Sequence, residues 1–242
     1  TGRALGRDLD HPAAVAIARI SPDGATVLTG AHDGAARRWD AATHAERPPA
    51  LRHCARCAVN DAAYSPDGST IATIGTDDQI RLWDAATGAP GPTLAGHRGE
   101  VLGVAFSADG ARVVSYGADG TARLWDTRSG RPSAPPLAHA TWVLAAAFSP
   151  DAARVVTASG ARATLWDART GRALGPPLEL AQAATGVAFT PSGSEVVVAG
   201  AGLRVWDAAL ADGSLADWQR QLRLNPLAAI VSAPDAAVAA PP

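Results

Sequence analysis

Short apolar segments separated by tight turns recur along the chain, and this pattern predicts a protein built from β-strands. In residues 96–126, an apolar segment at 101–106 ends in an Asp-Gly turn, and further strands are predicted at 112–115 and 121–125. A strand that runs into an Asp-Gly pair is a hairpin signal, because glycine accepts the positive φ that tight turns require. A fourth strand is predicted near 135–137, so the unit has four antiparallel strands.

The unit is repeated five times, and each copy ends in a Trp-Asp pair, with successive pairs 40 to 44 residues apart. The pairs are Trp39-Asp40, Trp83-Asp84, Trp125-Asp126, Trp166-Asp167 and Trp206-Asp207. A repeat of about 40–45 residues that ends in this dipeptide is the signature of a β-propeller blade. Stacking such units around an axis buries faces that one unit leaves exposed. The sequence therefore predicts an all-β fold, a β-propeller of about five four-stranded antiparallel blades over residues 1–207.

The first residues of the chain have the character of a fourth strand, because Thr1–Gly6 repeats the sequence of Thr170–Gly175. Two interpretations follow. Residues 1–9 complete the blade whose other strands lie in 184–206, which would close a ring of five blades. Alternatively, the chain is the C-terminal part of a larger protein with further blades upstream, and we favour this second interpretation.

The chain changes character after Asp207. Residues 208–225 predict a short amphipathic helix, with Leu215, Trp218 and Leu222 on one face. Residues 226–242 are rich in Ala and Pro and predict a tail. The helix either packs on the propeller or docks a partner.

Composition narrows the classes of function. The chain has 242 residues, a net charge of -2, and no block of basic residues, so nucleic acid is not an expected partner. No apolar run approaches the roughly 18 residues of a spanning helix, so no membrane contact is expected. All 21 basic residues are Arg, which indicates a high-GC bacterial genome. Two Cys argue against a disulfide-dependent secreted scaffold, and we expect a cytoplasmic protein.

The repeats resemble the WD-repeat family of bacterial type. The family pattern is Gly-His, a strand, a Ser-Pro-Asp-Gly turn, a strand, an Asp-Gly turn, and a strand that ends in Trp-Asp. The corresponding first turns are Ser21-Pro22-Asp23-Gly24, Ser65-Pro66-Asp67-Gly68, Ser107-Ala108-Asp109-Gly110, Ser149-Pro150-Asp151 and Thr190-Pro191-Ser192-Gly193. The resemblance implies a noncatalytic scaffold that binds a protein or peptide and needs no cofactor.

The resemblance also implies a hydrogen-bonded set in each blade, made of His, Ser or Thr, Asp and Trp. The implied sets are His11, Thr29, Asp33 and Trp39; Thr73, Asp77 and Trp83; His97, Ser115, Asp119 and Trp125; and His139, Thr157 and Trp166. His53 stands two residues too early for the second set, the fourth set has no Asp, and the fifth has Leu180 and Val198 instead of His and Ser. We therefore expect blades four and five to be looser.

Partners of the family dock on the face that carries the loops between outer and inner strands. The residues that the resemblance assigns to this face are mostly small, such as Ala16, and the larger ones include His32, Asn60, Glu100, Leu102, Trp142 and Leu144. Trp is favoured at binding hot spots because it offers a large apolar area and one donor. The alternative for Trp142 is packing between blades.

A Cys-x-x-Cys sequence, Cys54 to Cys57, lies in a two-residue insertion at the start of repeat two. The flanking Arg56 would lower a thiol pKa, so the pair could be redox-active. With His44 or His53 it could supply metal ligands, although a second close pair is missing and no metal is expected. The third interpretation is two buried or half-buried thiols in a long loop.

Three functions remain open at this point. The favoured one is a protein- or peptide-binding scaffold that serves as a sensor or regulatory module of a larger bacterial signalling protein. The second is an assembly module that joins copies through an open blade edge or the tail helix. The third is an enzyme with a site in the central channel, which would need inward carboxylates or histidines.

Overall fold

The computed structural model describes residues 8–208, and in this range the chain forms five antiparallel sheets. Blade one contains β1 (Val15–Ile20), β2 (Thr26–Ala31), β3 (Ala35–Asp40) and β4 (Glu46–Arg52). Blade two contains β5 (Val59–Tyr64), β6 (Thr70–Gly75), β7 (Ile80–Asp84) and β8 (Pro90–Leu94). Blade three contains β9 (Val101–Phe106), β10 (Arg112–Gly117), β11 (Thr121–Asp126) and β12 (Leu137–Ala138). Blade four contains β13 (Val143–Phe148), β14 (Arg154–Ser159), β15 (Arg162–Asp167) and β16 (Leu178–Glu179), and blade five contains β17 (Gly186–Phe189), β18 (Glu195–Ala199) and β19 (Leu203–Asp207).

The predicted all-β architecture of antiparallel four-stranded blades is confirmed. In each blade the strands pair in chain order, and four of the five described sheets have four strands. Blade five has three strands within the described residues rather than the expected four. In each of the other blades the fourth strand begins several residues after the Trp-Asp pair. The corresponding segment, the predicted helix at 208–225, the tail at 226–242 and the strand proposed for residues 1–7 lie outside the described residues. Residues 8–208 contain no helix with the length and hydropathy of a membrane span.

The turn between the first two strands of a blade is held by side chains of the Ser-x-Asp-Gly sequence. In blade three, Asp109 Oδ1 accepts from the backbone amide of Ala111 at 3.0 Å, and Ser107 Oγ accepts from the amide of Arg112 at 2.9 Å. Gly110 has a φ of 68°, a conformation that side chains disfavour. The short polar side chains thus satisfy backbone donors that the hairpin leaves unpaired.

The hydrophobic core is divided into four clusters, and each lies between two neighbouring blades. Leu28 of blade one shares a buried cluster with Val59 and Ile71 of blade two. Val114 of blade three shares another with Val143 of blade four. Burial of apolar area between sheets, rather than within one sheet, therefore stabilises the array.

Three arginines add polar connections between neighbouring blades. The buried Arg38 of blade one donates to the carbonyl oxygen of Ala85 at 2.8 Å, next to the Trp-Asp pair of blade two. Arg154 of blade four donates to the carbonyl oxygen of Ala208 at 2.7 Å, and Arg112 repeats this contact from blade three to blade four. Carbonyl oxygens at the end of one blade are thus satisfied by a charged donor from the preceding blade.

Candidate functional site

Blade three contains a continuous chain of hydrogen bonds through its strands and turn. Trp125 Nε1 donates to Ser115 Oγ at 2.8 Å, and Ser115 Oγ lies 2.7 Å from His97 Nε2. His97 Nδ1 lies 3.0 Å from Asp119 Oδ2. The four residues that the sequence assigned to this set are therefore in contact, and every polar atom named here has a partner.

Burial and neighbouring groups determine the protonation of His97 and Asp119 in blade three. Burial lowers the pKa of His97, and the charge of Asp119 offsets part of that effect. Burial would raise the pKa of Asp119, but donation from the Arg98 backbone and from Thr121 keeps that pKa below its usual value. A neutral His97 that accepts from Ser115 carries its proton on Nδ1 and donates it to the Asp119 carboxylate.

Blade one satisfies its histidine in a different way. His11 Nε2 lies 2.7 Å from Thr29 Oγ1, which also accepts from Trp39 Nε1 at 2.8 Å. His11 Nδ1 lies 2.6 Å from the carbonyl oxygen of Leu9 instead of the turn carboxylate. Blade one thus ends its chain on a backbone oxygen and leaves Asp33 available for another partner.

The sequence analysis left His53 out of the blade-two set, but the structure includes it. His53 Nδ1 lies 2.7 Å from Thr73 Oγ1, and His53 Nε2 lies 3.0 Å from Asp77 Oδ1. Trp83 Nε1 donates to the same Thr73 oxygen at 2.9 Å. The two ring nitrogens have exchanged roles relative to His97, and this reversal lets a histidine that enters two residues early reach the same pair of groups.

The sequence analysis also missed an arginine that pairs with the turn carboxylate in two blades. Arg37 Nη2 lies 2.5 Å from Asp33 Oδ2, and Arg81 Nη1 lies 2.8 Å from Asp77 Oδ2. In both blades the Arg follows the Asp by four residues across a hairpin, so the side chains lie on one face. This regular spacing was a signal that could have found the pair.

Blade four forms only part of the set, and blade five forms none of it. Trp166 Nε1 donates to Thr157 Oγ1 at 2.8 Å, and Thr157 Oγ1 lies 3.1 Å from His139 Nε2. In blade five, Val198 occupies the position of the hydroxyl, and the buried Trp206 Nε1 has no hydrogen-bond partner among the described residues. The loss of polar partners therefore increases along the chain from blade three to blade five.

The first strand of each of blades one to four has a β-bulge near its start. The register of the first two strands shifts so that one extra residue remains unpaired, between Val143 and Ala145 in blade four. The extra residues are Ala16, Asn60, Leu102 and Leu144. A bulge re-aims a side chain and recurs next to binding sites. All four residues belong to the face that the resemblance assigned to a partner.

The most exposed apolar side chains of this face belong to blade four. Trp142 is 59% exposed and Leu144 is 37% exposed. On the neighbouring pair of blades, Asn60 Nδ2 donates to Glu100 Oε1 at 3.0 Å, so residues of blades two and three meet on this face. The alternative that Trp142 packs between blades is wrong, because a side chain in an interblade core would be buried.

The other residues predicted for this face, His32 and Leu102, present less exposed apolar surface. His32 is exposed, and its amide donates to the carbonyl oxygen of Ala14 at 2.9 Å. Leu102 is half-buried at the bulge of blade three. Neither residue is an exposed large apolar side chain, as Trp142 and Leu144 are.

Cys54 and Cys57 form a disulfide bond, so the interpretation as two free thiols is wrong. The loop packs on the β2–β3 turn of blade one, where an added Cβ on Gly34 would lie 2.4 Å from the Cys54 carbonyl oxygen. Ligand atoms of His53, Cys57 and Asp77 lie within 4.8 Å of one another. A sulfur in a disulfide does not provide the thiolate that a metal needs, and Arg81 Nη1 lies 2.8 Å from His53 Nε2. With Cys57 oxidised to the disulfide, these three residues are therefore a poor fit to a metal ion.

One carboxylate lies on a first strand with a raised pKa, as a channel enzyme would require. Burial raises the pKa of Asp61, but its oxygen is 2.9 Å from Arg19 Nη2 and accepts from the Ala62 amide at 2.9 Å. The ion pair joins β1 and β5. This arrangement connects two blades, and the partners of Asp61 among residues 8–208 include no second carboxylate.

These features define a repeat protein of the β-propeller class whose blades are built on Trp-Asp repeats. The family described as "WD domain, G-beta repeat" matches residues 5–40, 50–84, 88–126 and 133–167. The matches cover more than half of the chain, and the chain belongs to this family. Repeats of the family generally mediate protein–protein interactions as scaffolds and are typically noncatalytic. A comparison with curated proteins gave no match.

Proposed function

We propose that the chain is a noncatalytic scaffold that binds a protein or peptide through Trp142 and Leu144 of blade four. The observation that supports the proposal is the pair of exposed apolar side chains beside a β-bulge, in a blade whose neighbouring strands are otherwise well packed. An exposed Trp offers about 150–250 Å² of contact area with little side-chain entropy to lose. Glu100 of the adjacent blade three, which is hydrogen-bonded to Asn60 of blade two, would extend the surface with polar groups.

The proposed biological role is a sensor or regulatory module of a larger bacterial signalling protein. The family supports a scaffold role in general. The net charge of -2 and a sequence without a block of basic residues support a protein rather than a nucleic acid as partner.

The test compares the wild type with a Trp142→Ala, Leu144→Ala double variant in capture of partners from a lysate of the source organism. The matched control is Ile20→Ala, since Ile20 is 68% exposed at the far end of a first strand. We expect the double variant to lose its partner and the control to retain it. Equal retention by both variants would contradict the assignment of this face.

Self-association is a second candidate, supported by apolar side chains on the outermost blades. Leu203 of blade five is 70% exposed, and Val205, Val15 and Ile20 are exposed as well. Exposed apolar sheet faces favour pairing with another chain. Sedimentation of the wild type and of Leu203→Glu would test this candidate, and a mass that stays monomeric over a wide concentration range would exclude it.

A further inference from the structure

Blade four contains a cavity of about 510 Å³ beside its incomplete hydrogen-bond set. Its walls include His139 and Thr141 from the segment that enters the blade, Gly160 from the β14–β15 turn, Thr164 from β15, and Pro177. Alanines supply much of the remaining wall. A mostly apolar cavity of this size with a few polar groups has the character of a ligand site.

His139 contributes a ring nitrogen without a partner. Its Nε2 lies 3.1 Å from Thr157 Oγ1, and its Nδ1 has no hydrogen-bond partner among residues 8–208. In each of the other three blades that have the histidine, the second ring nitrogen meets an oxygen. These oxygens are the Leu9 carbonyl at 2.6 Å, Asp77 Oδ1 at 3.0 Å and Asp119 Oδ2 at 3.0 Å.

The hydrogen bonds of Thr157 bear on which nitrogen of His139 carries the proton. Thr157 Oγ1 accepts from Trp166 Nε1 at 2.8 Å and keeps its own proton to donate. The acceptor His139 Nε2 is nearer, at 3.1 Å, than the carbonyl oxygen of Thr164, at 3.4 Å. A hydroxyl that donates to Nε2, the nearer acceptor, leaves the neutral ring with N–H at Nδ1, and the inference rests on this tautomer.

The cavity corresponds to the volume that a carboxylate and an arginine occupy elsewhere in the protein. The β14–β15 turn has two residues, Gly160-Ala161, where blade three has Ala118-Asp119-Gly120, so the carboxylate is missing. Thr164 stands where blade three has Arg123 and blade two has Arg81. In blade four the carboxylate is thus absent and a threonine replaces the arginine, and the residues at both positions line the cavity.

The geometry points to this cavity as a binding site for a carboxylate, carried by an Asp or Glu side chain of a partner polypeptide. The carboxylate would accept from His139 Nδ1 as Asp119 accepts from His97, in a charge-assisted hydrogen bond. The apolar wall would hold the methylene groups of the same side chain. Because Thr141 of the wall immediately precedes Trp142, this inference rests on the proposed function for the source of the ligand.

The charged groups at the cavity do not oppose this assignment. Arg162 Nε lies 2.9 Å from Glu179 Oε1, and both side chains are more than half exposed. The pair is neutral in sum and accessible to solvent. An entering carboxylate can therefore share Arg162 with Glu179.

The test uses the wild-type chain and a minimal probe, the acetylated amide of aspartate, with the acetylated amide of asparagine as an isosteric control. Long-range ¹H–¹⁵N NMR follows the two ring nitrogens of His139. We expect a proton on Nδ1, saturable shifts of the His139 signals with the aspartate probe, and binding at least about tenfold weaker for the asparagine probe. A deprotonated Nδ1, no shift with either probe, or equal binding of both probes would overturn the inference.

A variant that fills the cavity from within supplies the second test. Replacing Gly160-Ala161 by the sequence Ala-Asp-Gly restores the turn of blade three and brings an internal carboxylate to His139. We expect this folded variant to lose at least about tenfold in affinity for the aspartate probe. Retained affinity would place the probe elsewhere and overturn the inference, and the comparison of the two probes on the wild type decides the matter if the variant fails to fold.

A failure of the carboxylate site can be distinguished from a failure of the proposed docking face. Trp142→Ala should leave the response of His139 to the small probe within about twofold of the wild type, because the probe does not reach a side chain on the outer surface. Loss of partner capture in the Trp142 variant together with an unresponsive His139 would retain the docking face and overturn only the carboxylate site.

Discussion

Blades three and four have the same strands and the same Trp-Asp ending, but they differ in whether the polar chain behind the tryptophan is complete. In blade three the chain runs from Trp125 to Asp119, and Trp125 is fully buried. In blade four it ends at His139, and Trp166 lines an open cavity. The sheet is thus intact in a blade that lacks both the turn carboxylate and the arginine, and a cavity lies beside it.

This difference separates two roles of the repeat. The strands and the interblade clusters form in both blades, so the apolar pattern and the turns suffice for the sheet. The carboxylate has a local role, since it satisfies a buried imidazole and closes the space beside the Trp. A blade without it is free to use that space for a ligand.

We expect the largest effects on the free energy of unfolding when the Trp of the Trp-Asp pair is removed from blade three or from blade four. Trp125→Ala should reduce the free energy of unfolding by about 3–5 kcal/mol, because a fully buried ring and its donor are lost. Trp166→Ala should reduce it by about 1–2 kcal/mol less, since this ring already borders a cavity. Urea unfolding measures both, and equal losses would show that the cavity does not weaken the packing of Trp166.

A smaller effect is expected when blade three is converted to the condition of blade four. Asp119→Ala should reduce the free energy of unfolding by about 1–3 kcal/mol, because His97 Nδ1 and the Arg98 amide lose their common acceptor. The same variant should lower the pKa of His97 further, since the charge of Asp119 now offsets part of the effect of burial. NMR titration and urea unfolding provide the two readouts. An unchanged His97 pKa would contradict the role given to the carboxylate.

The two histidines should also respond differently to pH. Burial lowers the pKa of His139 from 6.5 to about 4, while His97 has a carboxylate that counteracts the effect of burial. A lowered histidine pKa in the native state means that the unfolded state binds more protons, so stability is full above about pH 6.5 and is lost as pH falls towards about 4. We expect His139 to contribute about 1–2 kcal/mol to this loss, because solvent in the cavity screens part of the shift. Titration of His139 by NMR checks the direction, and a pKa above that of His97 would contradict it.

The smallest expected effect on stability comes from the other tryptophan of blade four. Trp142→Ala should change the free energy of unfolding by less than about 0.5 kcal/mol, because the side chain is exposed and lies outside the hydrogen-bond set. Both Trp142→Ala and Trp166→Ala remove one tryptophan from blade four. A comparison of the two variants therefore shows how the loss of stability depends on the position of the tryptophan. A loss above 1 kcal/mol in urea unfolding, by the scale of buried substitutions, would mean that Trp142 supports the blade.

The chain of contacts in blade three agrees with the set that the family resemblance implied, because each member stands at its position in the repeat. The sequence analysis failed at His53, since the ring can reverse and use Nδ1 where His97 uses Nε2. For Cys54 and Cys57 it left three interpretations open, because spacing does not distinguish a bond from two thiols. Side-chain reach and ring orientation decide such cases, and neither is encoded in residue spacing.

By itself, the sequence determined the class of fold, because strand periodicity, Asp-Gly turns and the Trp-Asp period are local properties of the chain. Only the tertiary structure decided that the bulges carry Leu102 and Leu144, that Arg37 and Arg81 pair with turn carboxylates, and that a cavity lies beside His139. These features depend on which residues face one another across strands and blades. A missing Asp is visible in the sequence, but whether its space collapses or stays open depends on the packing of every wall around it.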